Sequence, residues 1–124
     1  MAKILYIEDI QDNITLVEKI VSSRGHEFLY AKNAETGLEM AFSSKPDLIL
    51  LDLGLPDADG QTLSVWLRGD PALEKIPIIV LTAWPEEVVR QTVNAYNLNG
   101  YLCKPFALLD LVNMIDSVLG AKAS

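Results

Sequence analysis

Glu8 and Asp9 directly follow the apolar run Ile4-Leu5-Tyr6-Ile7, and Asp52 directly follows Leu48-Ile49-Leu50-Leu51. Thr82 closes the run Ile78-Ile79-Val80-Leu81, and Lys104-Pro105 comes straight after Tyr101-Leu102-Cys103. Taken singly, each has an ordinary explanation. Acids after a strand cap the next helix, aspartate is a common turn residue, threonine is a β-former, and proline opens helices. Taken together they describe more. If the runs are neighbouring strands, Glu8, Asp9 and Asp52 converge on one rim, where carboxylates repel one another unless a cation sits among them. Magnesium suits such a rim, because it takes oxygen ligands from one or two carboxylates together with phosphate and water. A lysine and a hydroxyl on the same rim would face whatever anion the metal binds, with an aspartate placed to be the nucleophile. In outline this is phosphoryl-transfer chemistry.

The elements that must position these residues follow from the pattern. The runs Ile4–Ile7, Leu48–Leu51 and Ile78–Leu81 are continuous rather than alternating, as in parallel strands covered on both faces. Phe28–Ala31 and Tyr101–Cys103 complete five strands. Helical stripes lie between them: Ile14, Val17 and Val21, with Asp12 available as a cap; Ala34, Leu38, Ala41 and Phe42, entered from Asn33; and Leu63, Trp66 and Leu67, after the turn Pro56–Gly60. The fourth helix opens at Pro85 with Glu86 and Glu87 at the positive end of its dipole, and its apolar face is Val89, Val93 and Tyr96. The fifth carries Leu108, Leu111, Val112, Ile115, Val118 and Leu119. Strand and helix alternate five times, which predicts an α/β, doubly wound (βα)5 fold with helices on both faces of a parallel sheet. The ligand site of such a fold lies at the carboxyl ends of the strands, where the five chemical positions fall.

The ordered set Glu8-Asp9, Asp52, Leu55-Pro56-x-x-Asp59-Gly60, Thr82-Ala83 and Lys104-Pro105-Phe106 resembles the receiver domain of two-component response regulators. The resemblance covers residues 1–120 and leaves a short tail, 121–124, within a stretch from Gly120 that reads as loose. It implies the flavodoxin-like strand order 2-1-3-4-5, and it implies a role for each residue. Asp52 would be the phosphoacceptor. Asp9, Asp52 and the Gly54 backbone carbonyl would bind Mg²⁺, with Glu8 acting through metal-bound water. Lys104 and Thr82 would hold phosphoryl oxygens, Thr82 and Tyr101 would form the switch, and a cis bond before Pro105 would aim the lysine.

The function so implied is that of a cytoplasmic phosphoprotein in a two-component or phosphorelay system. It would take a phosphoryl group from a sensor histidine kinase or histidine phosphotransfer protein and remodel the surface of helix four, strand five and helix five for a downstream protein. It would be no enzyme beyond forming and losing its own aspartyl phosphate, and a monomer or weak homodimer. Trp84, two residues beyond Thr82, would gate water at the phosphoryl group, anchor a partner, or pack on helix four.

Other residues read as structural. His26 is the only histidine and enters strand two far from the rim, Cys103 lacks a histidine partner, and Asp57 and Asp59 shape the turn before Gly60. A flavodoxin-like electron carrier would need a hydroxyl- and glycine-rich loop after strand one, where this chain has Glu8-Asp9-Ile10-Gln11-Asp12. An aspartate-based phosphatase places a second aspartate two residues after the nucleophile, where this chain has Gly54. A receiver that binds without phosphorylation is disfavoured because the acceptor set is complete.

Composition agrees with this reading. The 124 residues fit one domain, and one cysteine excludes an internal disulfide. Ten basic against seventeen acidic residues leave a net charge of −7, which argues against direct binding to DNA or an anionic membrane. The first apolar run stops at Glu8, too early for a signal peptide, and no run approaches the length of a membrane span. No output segment follows the fifth helix, so the chain is expected to act alone or to be an excised receiver.

Overall fold

The apolar runs form five parallel strands: β1 (Lys3–Ile7), β2 (Glu27–Ala31), β3 (Leu48–Leu51), β4 (Ile78–Thr82) and β5 (Gly100–Cys103). The computed structural model describes residues 2–123. The strands pair in the order β2-β1-β3-β4-β5, as the resemblance implies. The helices between and after them are α1 (Gln11–Ser23), α2 (Ala34–Ser44), α3 (Gly60–Gly69), α4 (Glu86–Ala95) and α5 (Leu108–Ala123). The last takes in Gly120–Ala123 of the stretch that reads as loose, and Ser124 lies outside the described residues. No described helix is long and apolar enough to cross a membrane.

Continuous burial of the inner strands follows from their two covered faces. Ile4, Tyr6, Leu48, Leu50, Ile79 and Leu81 pack with Ile14, Val17 and Val21 of α1 and with Leu111 and Ile115 of α5. The residues between them, Leu5, Ile7, Ile49, Leu51, Ile78 and Val80, pack with Ala34 and Ala41 of α2, Leu63 and Leu67 of α3, and Val89 of α4. The period of two thus divides each run between two cores.

Several expected core positions lie elsewhere. Trp66 is 46% exposed, because α3 buries Gly60, Leu63, Ser64 and Leu67, a face to which position 66 does not turn. Phe42 is 40% exposed, with the Lys45 ammonium 5.8 Å from its ring centroid. Leu108 is exposed in the first turn of α5, before that helix reaches the sheet. Asp12 does not cap α1. The cap position is Ile10, which makes no side-chain cap bond, and Asp12 sits within the first turn.

The amino end of α2 is capped from two directions. Asn33 Oδ1 accepts from Thr36 N at 2.8 Å, as its place before the helix predicts. Asp57 accepts from Ala34 N at 2.8 Å and Glu35 N at 3.0 Å, tying the loop after β3 to the neighbouring helix. These two N–H groups hold the Asp57 carboxyl below its ordinary value. Asp59 caps α3 through Thr62 N at 2.7 Å.

Candidate functional site

Pairing of the central strands brings the chemical residues to one edge. Asp52 N donates to the Ile7 carbonyl at 3.1 Å and Glu8 N donates to the Ala31 carbonyl at 2.9 Å, so the ends of β2, β1 and β3 lie side by side. Lys104 N donates to the Thr82 carbonyl at 2.8 Å, and the Lys104–Pro105 peptide is cis. Behind Asp52 the chain closes on itself, with Gly60 N donating to the Leu53 carbonyl at 2.8 Å. A Cβ on Gly60 would stand 2.6 Å from Leu53 Cα and 2.8 Å from the Asp52 carbonyl oxygen, so the start of α3 can approach this strand end only without a side chain.

One carboxylate oxygen from each of Glu8, Asp9 and Asp52 lies within 4.8 Å of the other two. Glu8 is fully buried, Asp52 nearly so, and Asp9 exposed. The Lys104 ammonium lies between the buried pair, bonded to Glu8 Oε1 and 3.3 Å from Asp52 Oδ2. Burial and the neighbouring Glu8 push the Asp52 carboxyl up, while Lys104 and the Gly54 N–H, 3.2 Å from Asp52 Oδ1, pull it back. The donor set fits a small hard divalent cation: three clustered carboxylates bring more negative charge than one ammonium offsets, and all are oxygen ligands.

Glu8 is held by more than the lysine. Its Oε1 also accepts from the Tyr6 hydroxyl at 3.1 Å and Asn13 Nδ2 at 2.9 Å, and its Oε2 accepts from Asp9 N at 3.0 Å. Burial, and then the Glu8 charge, push the Tyr6 hydroxyl well above its ordinary value, so it remains a donor. The sequence reading missed both Tyr6 and Asn13. A signal existed for Tyr6: it stands two residues before Glu8 on the same strand face, and a tyrosine inside a buried run needs a hydroxyl partner.

Thr82 is buried, and its Oγ1 accepts from Trp84 N at 3.3 Å. Trp84 is half-buried, and its Nε1 lies 3.5 Å from the position a Cβ on Gly54 would take, which places the indole beside the acceptor loop. Tyr101 is half-buried on β5, and its hydroxyl reaches Glu86 Oε2 at the start of α4, 3.4 Å away. The carboxylates, Lys104 and Gly54 are therefore one cluster, while Tyr101 points its hydroxyl to α4. His26 is outside it, with Nδ1 accepting from Ala2 N at 3.1 Å. Burial and Glu86 push the Cys103 thiol up, which suits an unreactive group.

Known proteins resemble this chain in sequence and fold. The response regulator receiver domain model matches residues 4–116. The polar-differentiation response regulator DivK of Brucella anthropi is 29% identical over 117 residues, covering 94% of this chain and 95% of that protein. A two-component response regulator from Clostridium difficile superposes with a TM-score of 0.92 at 29% identity, over 100% of both chains. The receiver domain of the Pseudomonas aeruginosa sensor histidine kinase PA1611, solved with magnesium coordinated in its active-site cleft, superposes with a TM-score of 0.88 at 28% identity, over 96% of this chain and 98% of that one. The match runs from β1 into α5 and takes in every residue of the acidic cluster, and the chain belongs to the response regulator receiver domain family of two-component systems.

Proposed function

We propose that the protein is a phosphoacceptor whose Asp52 takes a phosphoryl group in a magnesium-dependent reaction. The observation that carries this reading is the convergence of Glu8, Asp9 and Asp52 with Lys104 at the carboxyl ends of β1, β3 and β5. Asp9, Asp52 and the Gly54 carbonyl would hold Mg²⁺ directly, and Glu8 through water. The ion supplies positive charge that offsets repulsion between an anionic nucleophile and an anionic phosphoryl group. An Asp52 carboxylate oxygen attacks phosphorus, the bond from phosphorus to the donor's histidine nitrogen breaks, and the imidazole leaves with that electron pair. Lys104 then pairs with a phosphoryl oxygen, and Thr82 donates to another.

The donor is a histidine kinase or histidine phosphotransfer protein. Its docking place is a groove of about 380 Å³ beside the acceptor, lined by Tyr6, Asn13, Leu16, Val17, Lys104 and Phe106. Leu16 of that lining is 49% exposed, and Ile10, just before α1, is 53% exposed. Output follows from the switch pair. Drawing the Thr82 hydroxyl to the phosphoryl group takes it from Trp84 N, and the Tyr101 contact with Glu86 at the start of α4 is released as the ring turns. A downstream protein reads the changed surface of α4, β5 and α5. The protein acts on no other substrate, and its chemistry is the formation and loss of its own aspartyl phosphate.

Incubation with acetyl phosphate and Mg²⁺ should add one phosphoryl group, seen by intact mass, and excess chelator should prevent it. Uptake that ignores the chelator would overturn the magnesium requirement.

Trp84 provides a further test. Its indole beside Gly54 restricts the approach of hydrolytic water to a phosphorylated Asp52. Trp84→Ala is expected to shorten the phosphorylated lifetime several-fold while leaving the Mg²⁺ midpoint unchanged, because no metal ligand is lost. Equal decay of wild type and variant, with partner absent, would assign the indole to docking or packing instead.

A further inference from the structure

Glu8 is a wholly buried carboxylate with four donors, and only one of them is a cation. In the proposed reaction that cation has a second task, since Lys104 must meet the incoming phosphoryl group. A buried carboxylate left without hydrogen bonds is costly, so an ammonium that alone satisfied Glu8 would be held there. Here it does not act alone. The Tyr6 hydroxyl and the Asn13 amide both donate to Oε1, the oxygen that Lys104 uses, and the Asp9 N–H holds Oε2. Both side chains come from regular elements: Tyr6 is fully buried on β1, which is paired on both sides, and Asn13 lies in the first turn of α1.

We propose that Tyr6 and Asn13 are positioning residues that keep Glu8 oriented and hydrogen-bonded, so that Lys104 can leave it when a divalent cation and a phosphoryl group enter. The proposal rests on the phosphoacceptor reading above. Partners of this kind behind a metal-site carboxylate affect metal affinity about tenfold or more. Tyr6→Phe keeps the ring that fills the core and removes only the donor. Asn13→Ala removes the second.

The test titrates Mg²⁺ into the unphosphorylated protein, followed by intrinsic tryptophan fluorescence, to which Trp84 beside Gly54 and the exposed Trp66 both contribute, and measures the phosphorylation rate with acetyl phosphate at saturating Mg²⁺. The expected result is an Mg²⁺ midpoint raised about threefold to tenfold in Tyr6→Phe and further in the double variant, with a slower rate at saturation. A lower melting temperature with midpoint and rate unchanged would show a merely structural role and overturn the proposal. Should the double variant fail to fold, Tyr6→Phe alone decides on the same readouts. Wild type that neither responds to Mg²⁺ nor labels at Asp52 would refute the phosphoacceptor reading itself, which separates the two failures.

Discussion

Lys104→Met is expected to destabilise the protein by about 3 kcal/mol in chelator, lowering the melting temperature by roughly 10 °C, and Mg²⁺ should restore much of the loss. Methionine keeps the length and apolar stem of the lysine but removes the ammonium that lies between Glu8 and Asp52. Two buried carboxylates then face each other uncompensated, and a divalent cation can supply what the ammonium did. The deficit also depends on pH. Asp52 already titrates above its ordinary value of 3.8, and losing the ammonium raises it further. A folded state that binds the proton more tightly than the unfolded chain loses stability as pH rises from 3.8, in both proteins alike until the raised wild-type value is passed. The variant alone keeps losing beyond it, so the deficit should be small in acid and open above the wild-type value. Thermal melts with and without Mg²⁺ across that range are the check. An equal loss under all conditions would mean that Lys104 contributes packing rather than charge.

Gly60→Ala is the second large effect. The added methyl would meet backbone, Leu53 Cα at 2.6 Å and the Asp52 carbonyl at 2.8 Å, so no side-chain rotation relieves it. Either α3 moves off the strand end or the chain carrying Asp52 moves. Overpacking of this kind costs about 1–3 kcal/mol and occasionally more. The loss of function should exceed the loss of stability, because a shift of about 1 Å in a reacting group can cost about a hundredfold in rate. The phosphorylation rate should therefore fall steeply at temperatures where the variant is still folded. A folded Gly60→Ala protein with the wild-type rate would show that the approach of α3 does not set the position of Asp52.

Much of this was legible in the sequence, for physical reasons that can be named. The runs ending at Ile7, Leu51 and Leu81 are continuous because each strand feeds two cores, and the residue after such a run must emerge at the rim. That is why Glu8, Asp52 and Thr82 fall on one rim. Asn33 was legible as a cap because its bond to Thr36 N is local. The residues that were misplaced or missed depend on tertiary geometry. Trp66, Phe42 and Leu108 have helical spacing from core residues, but which positions of a helix the core covers is set by its packing against the rest of the fold, and these three stay exposed. Asp57 read as a turn residue, yet its carboxylate caps a helix 22 and 23 residues away, which no local pattern encodes. Tyr6 passed as one more apolar residue because its ring packs like one, while its hydroxyl serves Glu8.

The most direct test of the account locates the phosphoryl group. Wild type and Asp52→Asn are incubated side by side with acetyl phosphate and Mg²⁺, and the modified peptide is identified by mass after trapping of the acyl phosphate. The account predicts one modification in wild type, on the peptide carrying Asp52, and none in the variant, which should fold at least as stably because the raised Asp52 carboxyl is gone. Undiminished labelling of Asp52→Asn, or a wild-type modification at His26 or any other residue, would contradict it.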